Sequence, residues 1–427
     1  MSVGSLGRLR RLAADTRPLS DRHFRRLFLG NGVSFIGFQL TAVAVAVQIY
    51  DITRSSFYVG LLGLVGLVPL IGFGLWGGSV ADAVDRRLLL LVASVVTWVV
   101  TGGLFLQSFL GLRDVWLIMV LVAVQSAAFA VASPTRGAIY PRLLPRELIP
   151  AANTLTFTMS TFGMAVGPLI AGIVIGRGHH YSWAYAIDAL LFTVGLYAAL
   201  RLPKLPPTGE ITRPGLRSVI NGLRFIVTRP VLLMSFAVDI VAMVLAMPKA
   251  LFPEVGETIF GGGPAIGWLY ASIPIGSVLG GVMSGWIGRV RRQGLALTVA
   301  IICWGAAVAL SGLAGQLWLV VALLAVGGAA DLVSAVFRQT ILQTYAPEEM
   351  RGRMQGVFVV VVAGGPRLGD LRAGATAAVF GATVSWVAGG VLCAVVVAVV
   401  AVCVPSFLRY DARAPAATVG TVESEPG

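Results

Sequence analysis

Several ionisable side chains lie inside long apolar stretches of the sequence, where a charge is costly. Asp188, Asp239 and Asp331 occur in the sixth, seventh and tenth of these stretches. Arg367 and Asp370 occur in the eleventh, and their spacing places them on one face of a helix. A charge at the centre of a bilayer costs at least ~2.5 kcal/mol, so it usually faces a cavity or a partner. We therefore expect reversible proton binding at these acids, with Asp239 the first candidate and Asp331 the second.

Structural roles remain open for some of these side chains. Arg367 and Asp370 can form an ion pair that only holds the fold together. Asp331 precedes Arg338 by two helical turns on the same side and can also serve the fold alone. Lys249 and Arg372 also lie in apolar stretches, and each can extend its charged end to the membrane surface or line a cavity.

Polar side chains in the first apolar stretch form a second candidate group. Asn31, Ser34 and Thr41 share one helical face, which can line a pathway, whereas Gln39 points elsewhere and is the weaker candidate. Hydrogen bonding between helices is an equally good explanation for these residues.

The elements that position these residues follow from composition. Of the 427 residues, 57% are hydrophobic and 12% are charged, whereas a soluble domain carries about 25% charged residues. One water-soluble core cannot bury so much apolar side chain, so the chain is expected in a membrane. The net charge of +13 then points to anionic lipids and topology, and not to nucleic acid.

Twelve apolar stretches are each long enough to span a bilayer as a helix, because only helices and closed barrels satisfy their own backbone there. Most of the 32 Lys and Arg residues fall in the N-terminal arm, alternate loops and the C-terminal tail. The positive-inside rule then predicts that both termini are cytoplasmic, in the inner (plasma) membrane. The predicted spans are 26–50, 56–80, 88–110, 115–135, 152–176, 182–201, 230–251, 264–288, 294–314, 316–337, 354–378 and 382–406.

The sequence divides into two related halves. Arg136 with its following Pro and Glu recurs at Arg338 after 202 residues, and the segment starting at Gly78 recurs at Gly281 after 203. Repeats of this kind are typical of transporters that rock one half against the other. The predicted division is an N-terminal arm (1–23), a six-helix half (24–201), a central loop that can hold an amphipathic helix (202–229), a second six-helix half (230–406) and a disordered tail (407–427).

Two motifs carry a family resemblance. Gly78, Asp82, Asp85, Arg86 and Arg87 follow the second span, and Gly163, Gly167, Pro168 and Gly172 lie in the fifth. With them the sequence resembles the major facilitator superfamily. The stretch that runs from Ser133-Pro134 through Tyr140-Pro141 and Pro145 to Ala151-Ala152-Asn153 resembles, more specifically, the subgroup of bacterial enterobactin exporters and macrolide efflux proteins. The first motif departs from the family pattern at Ala83, where a base is usual, and at Asp85, where glycine is usual.

The resemblance implies roles for both motifs. The acid and bases of the first motif would pair across a helix junction at the cytoplasmic end and bias two conformations. The alternative is that Arg86 and Arg87 only anchor the second span on the cytoplasmic side. The glycines of the second motif would form an antiporter-type seam that flexes at Pro168, and close packing of helices explains them as well.

Taken together, the resemblance implies a proton-coupled exporter of small hydrophobic or amphipathic molecules such as drugs or siderophores. An importer or uniporter of another solute, or a membrane receptor without transport, are the alternatives. An enzyme is not expected, because no recognisable set of catalytic side chains occurs. The adjacent His179 and His180 lack a carboxylate or cysteine nearby, so neither a metal nor a cofactor is expected. The expected partners are a small-molecule substrate, protons and membrane lipids, with the protein a monomer.

Overall fold

The computed structural model describes residues 15–176, 178, 180–206, 223–345 and 348–411, and for 75–83, 345, 348–356, 359 and 406 it describes the backbone alone. Twelve long helices occur within these residues. They are α1 (Arg22–Thr53), α2 (Ser56–Ala83), α3 (Arg86–Phe109), α4 (Val115–Leu143), α5 (Ile149–Ile175), α6 (Tyr181–Leu200), α7 (Pro230–Ala246), α8 (Pro264–Val282), α9 (Gln293–Leu313), α10 (Leu317–Tyr345), α11 (Glu348–Phe380) and α12 (Ala382–Cys403).

Eleven segments of the described chain are long and apolar enough to cross a membrane. They include every helix named above except α11, and α7 is counted in a segment that continues to Thr258. The 33 residues of α11 are ample in length, but Arg367, Asp370 and Arg372 interrupt its apolar character. Because α11 packs against α2, α7 and α12, it lies among the membrane helices. The predicted all-α fold of about twelve membrane helices is confirmed.

Aspartates cap several of these helices at their N-termini. The side chain of Asp21 accepts a hydrogen bond from the Phe24 amide at 2.7 Å, and that of Asp114 accepts one from the Trp116 amide at 2.9 Å. Such caps satisfy backbone N–H groups that have no partner within the helix, and the negative charge suits the helix dipole.

Several helix boundaries differ from the predicted spans by five residues or more, and two of them bear on the functional site. Helix α4 runs to Leu143 instead of residue 135, with Pro134 and Pro141 inside it, so Arg136 lies within a helix and not in the loop where the sequence placed it. Helix α7 ends at Ala246 instead of residue 251. Pro248 follows directly and cannot donate the next helical hydrogen bond, and a 3₁₀ turn (Lys249–Leu251) then leads to a short helix (Phe252–Thr258).

The helices form two bundles of six. Within α1–α6, α1 packs on α5 and α6, while α4 packs on α2 and α3; within α7–α12, α10 packs on α8 and α9, and α12 packs on α7 and α9. The main contacts between the bundles are α2 with α11 and α5 with α8. The sequence repeat relates α2 to α8 and α5 to α11, so these two contacts are equivalent under it.

The bundle has two chemically different ends. We call the end where α1 begins the basic end, because it carries most arginines of the described loops, and we call the other the opposite end. Contacts between the halves lie toward the opposite end: a Cβ atom on Gly267 would meet the Pro168 carbonyl oxygen at 2.7 Å, and one on Gly63 would meet that of Arg367 at 2.8 Å. Nearer the basic end, a Cβ atom on Gly72 or Gly74 would meet nothing within 4 Å. The described close contacts between the halves therefore lie toward the opposite end.

Candidate functional site

A cavity of about 260 Å³ lies between the two halves, and we call it the central cavity. Residues of α1, α2 and α4, among them Gln125 and Ser126, line one side. The other half contributes Lys249, Arg367 and Asp370. A mostly apolar chamber thus carries a cluster of charges on one wall.

Asp370 is held in place by the backbone that follows α7. Its Oδ1 atom accepts a hydrogen bond from the Ala250 amide at 3.1 Å. Arg367 lines the same cavity, but no ion pair within 4.0 Å joins the two side chains among the described residues. Arg367 and Asp370 thus lie on one face of α11 and both line the cavity. The ion pair between them that the sequence allowed is not formed.

Arg372 binds the end of α7 and does not line the central cavity. Its guanidinium donates to the carbonyl oxygens of Val244 at 3.2 Å and Ser385 at 3.3 Å, and also to that of Leu245. The last carbonyls of a helix lack partners within it and carry partial negative charge. Arg372 therefore stabilises the break after Ala246, which in turn directs Lys249 to the cavity.

Asp239 forms a buried ion pair with Arg338. The pair joins α7 to α10, and the side chains are only 2% and 4% exposed. The Arg338 guanidinium also lies 5.4 Å from the centre of the Phe358 ring. Neither member of the pair lines the central cavity. Asp331, the second proton candidate, is close enough to Lys249 to interact with it electrostatically.

Asp188 is a buried carboxyl with only uncharged hydrogen-bond partners among the described residues. It accepts from the Thr41 hydroxyl at 2.7 Å and from the Thr101 hydroxyl at 3.5 Å. The Gln125 amide donates to Thr101 at 3.5 Å, and Gln125 lines the central cavity. The Oδ1 atom of Asp188 has no hydrogen-bond partner. A chain of polar groups thus connects the central cavity to a buried acid.

The polar residues of α1 divide between two roles. Thr41 binds Asp188, and the Ser34 hydroxyl donates to the Leu191 carbonyl oxygen at 3.4 Å, so both join α1 to α6. Asn31 lines a cavity within the first half. Gln39 packs against the glycine row of α5, since a Cβ atom on Gly167 would meet the Gln39 Cβ atom.

The glycine row of α5 permits close helix packing on two sides. A Cβ atom on Gly163 would meet the Phe35 ring of α1 at 2.8 Å, whereas one on Gly172 would meet Gly267 of α8 at 2.9 Å. Pro168 lies inside α5 between them. The glycine row thus lies in the α5–α8 contact between the two halves, and its role as a flexing seam stays a prediction.

The first motif, which begins at Gly78 and which we call the gate motif, is described only in part. The side chain of Asp82 lies outside the described residues. Asp85 caps α3 by accepting from the Arg87 amide at 2.8 Å, which gives this departure from the family pattern a structural role. Arg86 donates to the Ala138 carbonyl oxygen at 3.2 Å and Arg87 to that of Leu200 at 2.8 Å. Both arginines thus bind the chain near the ends of neighbouring helices.

Polar contacts bridge the two halves at the opposite end, and we call them the opposite-end latch. Arg54 forms ion pairs with Glu257 at 2.5 Å and with Asp51 at 2.7 Å, and the Ser56 hydroxyl donates to Glu254. The hydrogen bond that the Arg54 guanidinium donates to Glu257 raises the pKa of Arg54 above its ordinary value, so Arg54 stays charged at physiological pH.

Sequence reasoning missed the latch, Gln125 and the position of Arg136. Gln125 is a polar residue in the middle of an apolar stretch, and this signal could have singled it out. Glu254 and Glu257 stand in the only acidic cluster of the seventh predicted connection, but their partners in the other half are about 200 residues away, and no local pattern reveals such pairs. Within the described residues, no group of three or more potential ligands could hold a metal ion; His179 lies outside them.

Comparisons with known proteins agree with this architecture. The family model described as "Transmembrane secretion effector" (MFS_3) matches residues 13–419. The enterobactin exporter EntS of Shigella boydii serotype 18 is 30% identical over 372 residues, which cover 86% of this chain and 88% of the relative. EntS of Escherichia coli O139:H28 matches with the same identity and coverage.

Solved structures share the fold at low sequence identity. The nucleoside transporter NupG has a TM-score of 0.73 at 12% identity and covers 91% of this chain and 100% of its own. A D-xylose–proton symporter has a TM-score of 0.67 at 13% identity and covers 88% and 96%. The resemblance noted in the sequence is confirmed. The chain is a multi-pass membrane transporter, and it belongs to the transmembrane secretion effector family of the major facilitator superfamily.

Proposed function

We propose that this protein is a proton-coupled exporter of small hydrophobic or amphipathic molecules, siderophores or drugs among them. The observation that carries the proposal is the central cavity, which lies between the two halves and which a polar chain connects to the buried Asp188. The 30% identity to an enterobactin exporter supports export as the direction.

The basic end is the cytoplasmic end in this proposal. Arginines cluster there in the loops and next to the helix ends, and cytoplasmic loops of membrane proteins carry such an excess. The two termini then lie in the cytoplasm of a cell whose inner membrane holds the protein. The conformation described above is accordingly the inward-facing one, ready to take a molecule from the cytoplasm or the inner leaflet.

Asp188 and Asp370 are the proposed proton-binding residues. Both are carboxyls removed from bulk water, and a desolvated acid exchanges a proton more easily near neutral pH than an exposed one does. Asp370 shares the cavity wall with Lys249 and Arg367, so its charge state alters the balance of the whole cluster. Asp239 is a weaker candidate, because Arg338 already neutralises it.

Coupling would follow from the same charges. A substrate that enters the central cavity displaces water and disfavours an additional charge, while the outward-open state lets an acid reload from the outside. A ligand shifts a two-state equilibrium only through its different affinity for the two states. We therefore propose that protonation and substrate binding favour opposite orientations of the halves.

An importer or a uniporter is the competing function, since the shared fold also occurs in a D-xylose–proton symporter. The direction is tested with inverted membrane vesicles in which the inside is acidified. A labelled catechol siderophore should accumulate inside wild-type vesicles and not in vesicles without the protein. Accumulation only under the opposite gradient would support proton-coupled import, and gradient-independent equilibration would support uniport.

A further inference from the structure

An arginine that occurs in both halves has an acidic partner in only one of them, among the described residues. Arg136 of α4 and Arg338 of α10 are equivalent under the 202-residue repeat, and each stands seven residues before the end of its helix. Asp239 neutralises Arg338. At offsets of 202 and 203 residues, the counterparts of Asp239 in α1 are Gly37 and Ile36, so this half lacks the matching acid.

Arg136 has no acidic partner among the described residues. Its Nε atom donates to the Ala132 carbonyl oxygen of its own helix at 3.3 Å, and its guanidinium lies 6.0 Å from the centre of the Phe129 ring. A partly buried cation is costly without an opposite charge. The repeat therefore leaves one half with a positive charge that no acidic side chain in the described part of the chain neutralises.

This charge lines a cavity of about 270 Å³ within the first half, which we call the Arg136 cavity. The side-chain amide nitrogen of Asn31 is buried without a hydrogen-bond partner and lines the same cavity. Two hydrogen-bond donors thus meet in one chamber, and none of the described residues that line it is a carboxylate. Donors of this kind are matched by an anionic or acceptor-rich group on a ligand.

The remaining walls of the Arg136 cavity suit an aromatic ring. Phe28, Phe35, Phe129 and Met159 line it, and Phe129 stacks at 5.4 Å on Phe38, which lines the central cavity. An apolar cavity of about 150 Å³ accommodates benzene, so 270 Å³ has room for a substituted ring. The stacked rings of Phe129 and Phe38 thus place the two cavities next to each other.

We propose that the Arg136 cavity binds an anionic aromatic group of the transported molecule, with Arg136 and Asn31 as the specificity-determining residues. This proposal rests on the transport function proposed above and adds to it the class of substrate. It assigns the substrate class as compounds that combine a ring with a carboxylate, phenolate or similar anion. Neutral analogues of the same size would leave the Arg136 charge unmatched and bind less well.

The test compares two probes that differ in charge alone. Radiolabelled salicylate and its neutral amide, salicylamide, are equilibrated with the full-length protein in lipid nanodiscs, and binding to empty nanodiscs is subtracted. Wild-type protein should prefer salicylate by about 10-fold or more, the usual effect of a hydrogen bond to a charged group. Arg136→Gln should remove this preference, and Asn31→Leu should weaken salicylate binding while Arg136 remains.

Arg142→Gln is the matched control, because Arg142 lies on the same helix, donates to the Pro206 carbonyl oxygen and lines neither cavity. It should bind both probes as wild type does, and thermal unfolding shows whether each variant is folded. Equal wild-type affinity for the two probes, an unchanged preference in folded Arg136→Gln, or no salicylate binding up to about 10 mM each overturns the proposal. Binding requires no proton gradient, so charge-selective binding without proton-coupled transport would contradict only the proposed function.

Discussion

At the scale of single residues, three acids within the membrane helices stand in three different electrostatic settings. Asp239 faces an arginine, Asp370 lies in a mixed cluster, and Asp188 has only hydroxyl partners and one unsatisfied oxygen. A paired acid is held in its charged form by its partner, whereas an acid without a cation can change protonation without breaking an ion pair. The settings therefore separate residues that support the fold from residues that can carry a proton.

Asp188→Asn should uncouple transport from protons. Asparagine keeps the size and the hydrogen bond with Thr41 but cannot ionise, so exchange of labelled for unlabelled substrate should persist in vesicles. Accumulation driven by a proton gradient should fall by about 10-fold or more, as for loss of an essential acid. Asp114→Asn is the control, because position 114 is the exposed N-cap of α4 and asparagine caps a helix about as well as aspartate does. Wild-type accumulation in Asp188→Asn would remove Asp188 from the mechanism.

Asp239→Asn should act first on stability. It leaves the Arg338 charge buried without a partner, and breaking such a pair costs about 3–5 kcal/mol. The thermal unfolding midpoint of the purified protein should drop clearly, and the double variant Asp239→Asn with Arg338→Gln should recover much of it. An unchanged midpoint with lost proton coupling would instead support Asp239 as the proton site that the sequence suggests.

The sequence indicated these acids because charge in apolar stretches is rare, but their partners could not be predicted. Asp239 and Arg338 are 99 residues apart, and Thr41 and Asp188 are 147 apart. Such contacts depend on which helices are neighbours and how each is rotated about its axis. The hydrophobic pattern of a membrane helix says little about either, because lipid-facing and buried positions are both apolar.

At the scale of elements, two helix pairs determine how the halves meet. The α2–α11 and α5–α8 contacts depend on glycines, because the absence of a side chain lets the two backbones approach closely at the opposite end. The apolar stretches and glycine row predicted these helices and one seam. They did not predict the extension of α4 past Pro134 or the break after α7, because neighbouring helices and Arg372 compensate for the local signals.

Gly267→Val should prevent closure at the opposite end. Its side chain would collide with the Pro168 carbonyl oxygen and the backbone of Gly172, so the variant should favour the state open at that end. An engineered cysteine near the latch should then react faster with a membrane-impermeant thiol reagent than in wild type. Gly74→Val serves as control, because its Cβ atom would meet nothing within 4 Å. Equal labelling in folded Gly267→Val and wild type would contradict this role of the seam.

Reversing one charge of the latch should bias the same equilibrium more weakly. Arg54→Glu places a carboxylate beside Glu257, and an exposed pair contributes about 0–1 kcal/mol, so the population should shift by up to about fivefold. The double reversal Arg54→Glu with Glu257→Arg should restore it. The labelling rate at the opposite end measures both effects, and a single variant that labels like wild type would show that the latch has no influence.

At the scale of the whole molecule, a duplicated bundle has acquired unequal halves. One half neutralises its repeated arginine and carries the charges of the central cavity, while the other leaves Arg136 unmatched and holds the isolated acid Asp188. Composition and the repeat were sufficient to predict the helices and the two halves. The division of chemistry between the halves follows only from which side chains the folded bundle brings together.

The central claim is that movement of a molecule through this protein is coupled to protons. The measurement is the pH inside energised inverted vesicles, followed with a pH-sensitive dye while catechol siderophores, macrolides and hydrophobic cations are added in turn. At least one compound should release protons from wild-type vesicles, and the same compound should release none from vesicles with Asp188→Asn. If every compound leaves the gradient intact in vesicles that contain folded wild-type protein and accumulate the compound, proton coupling is contradicted.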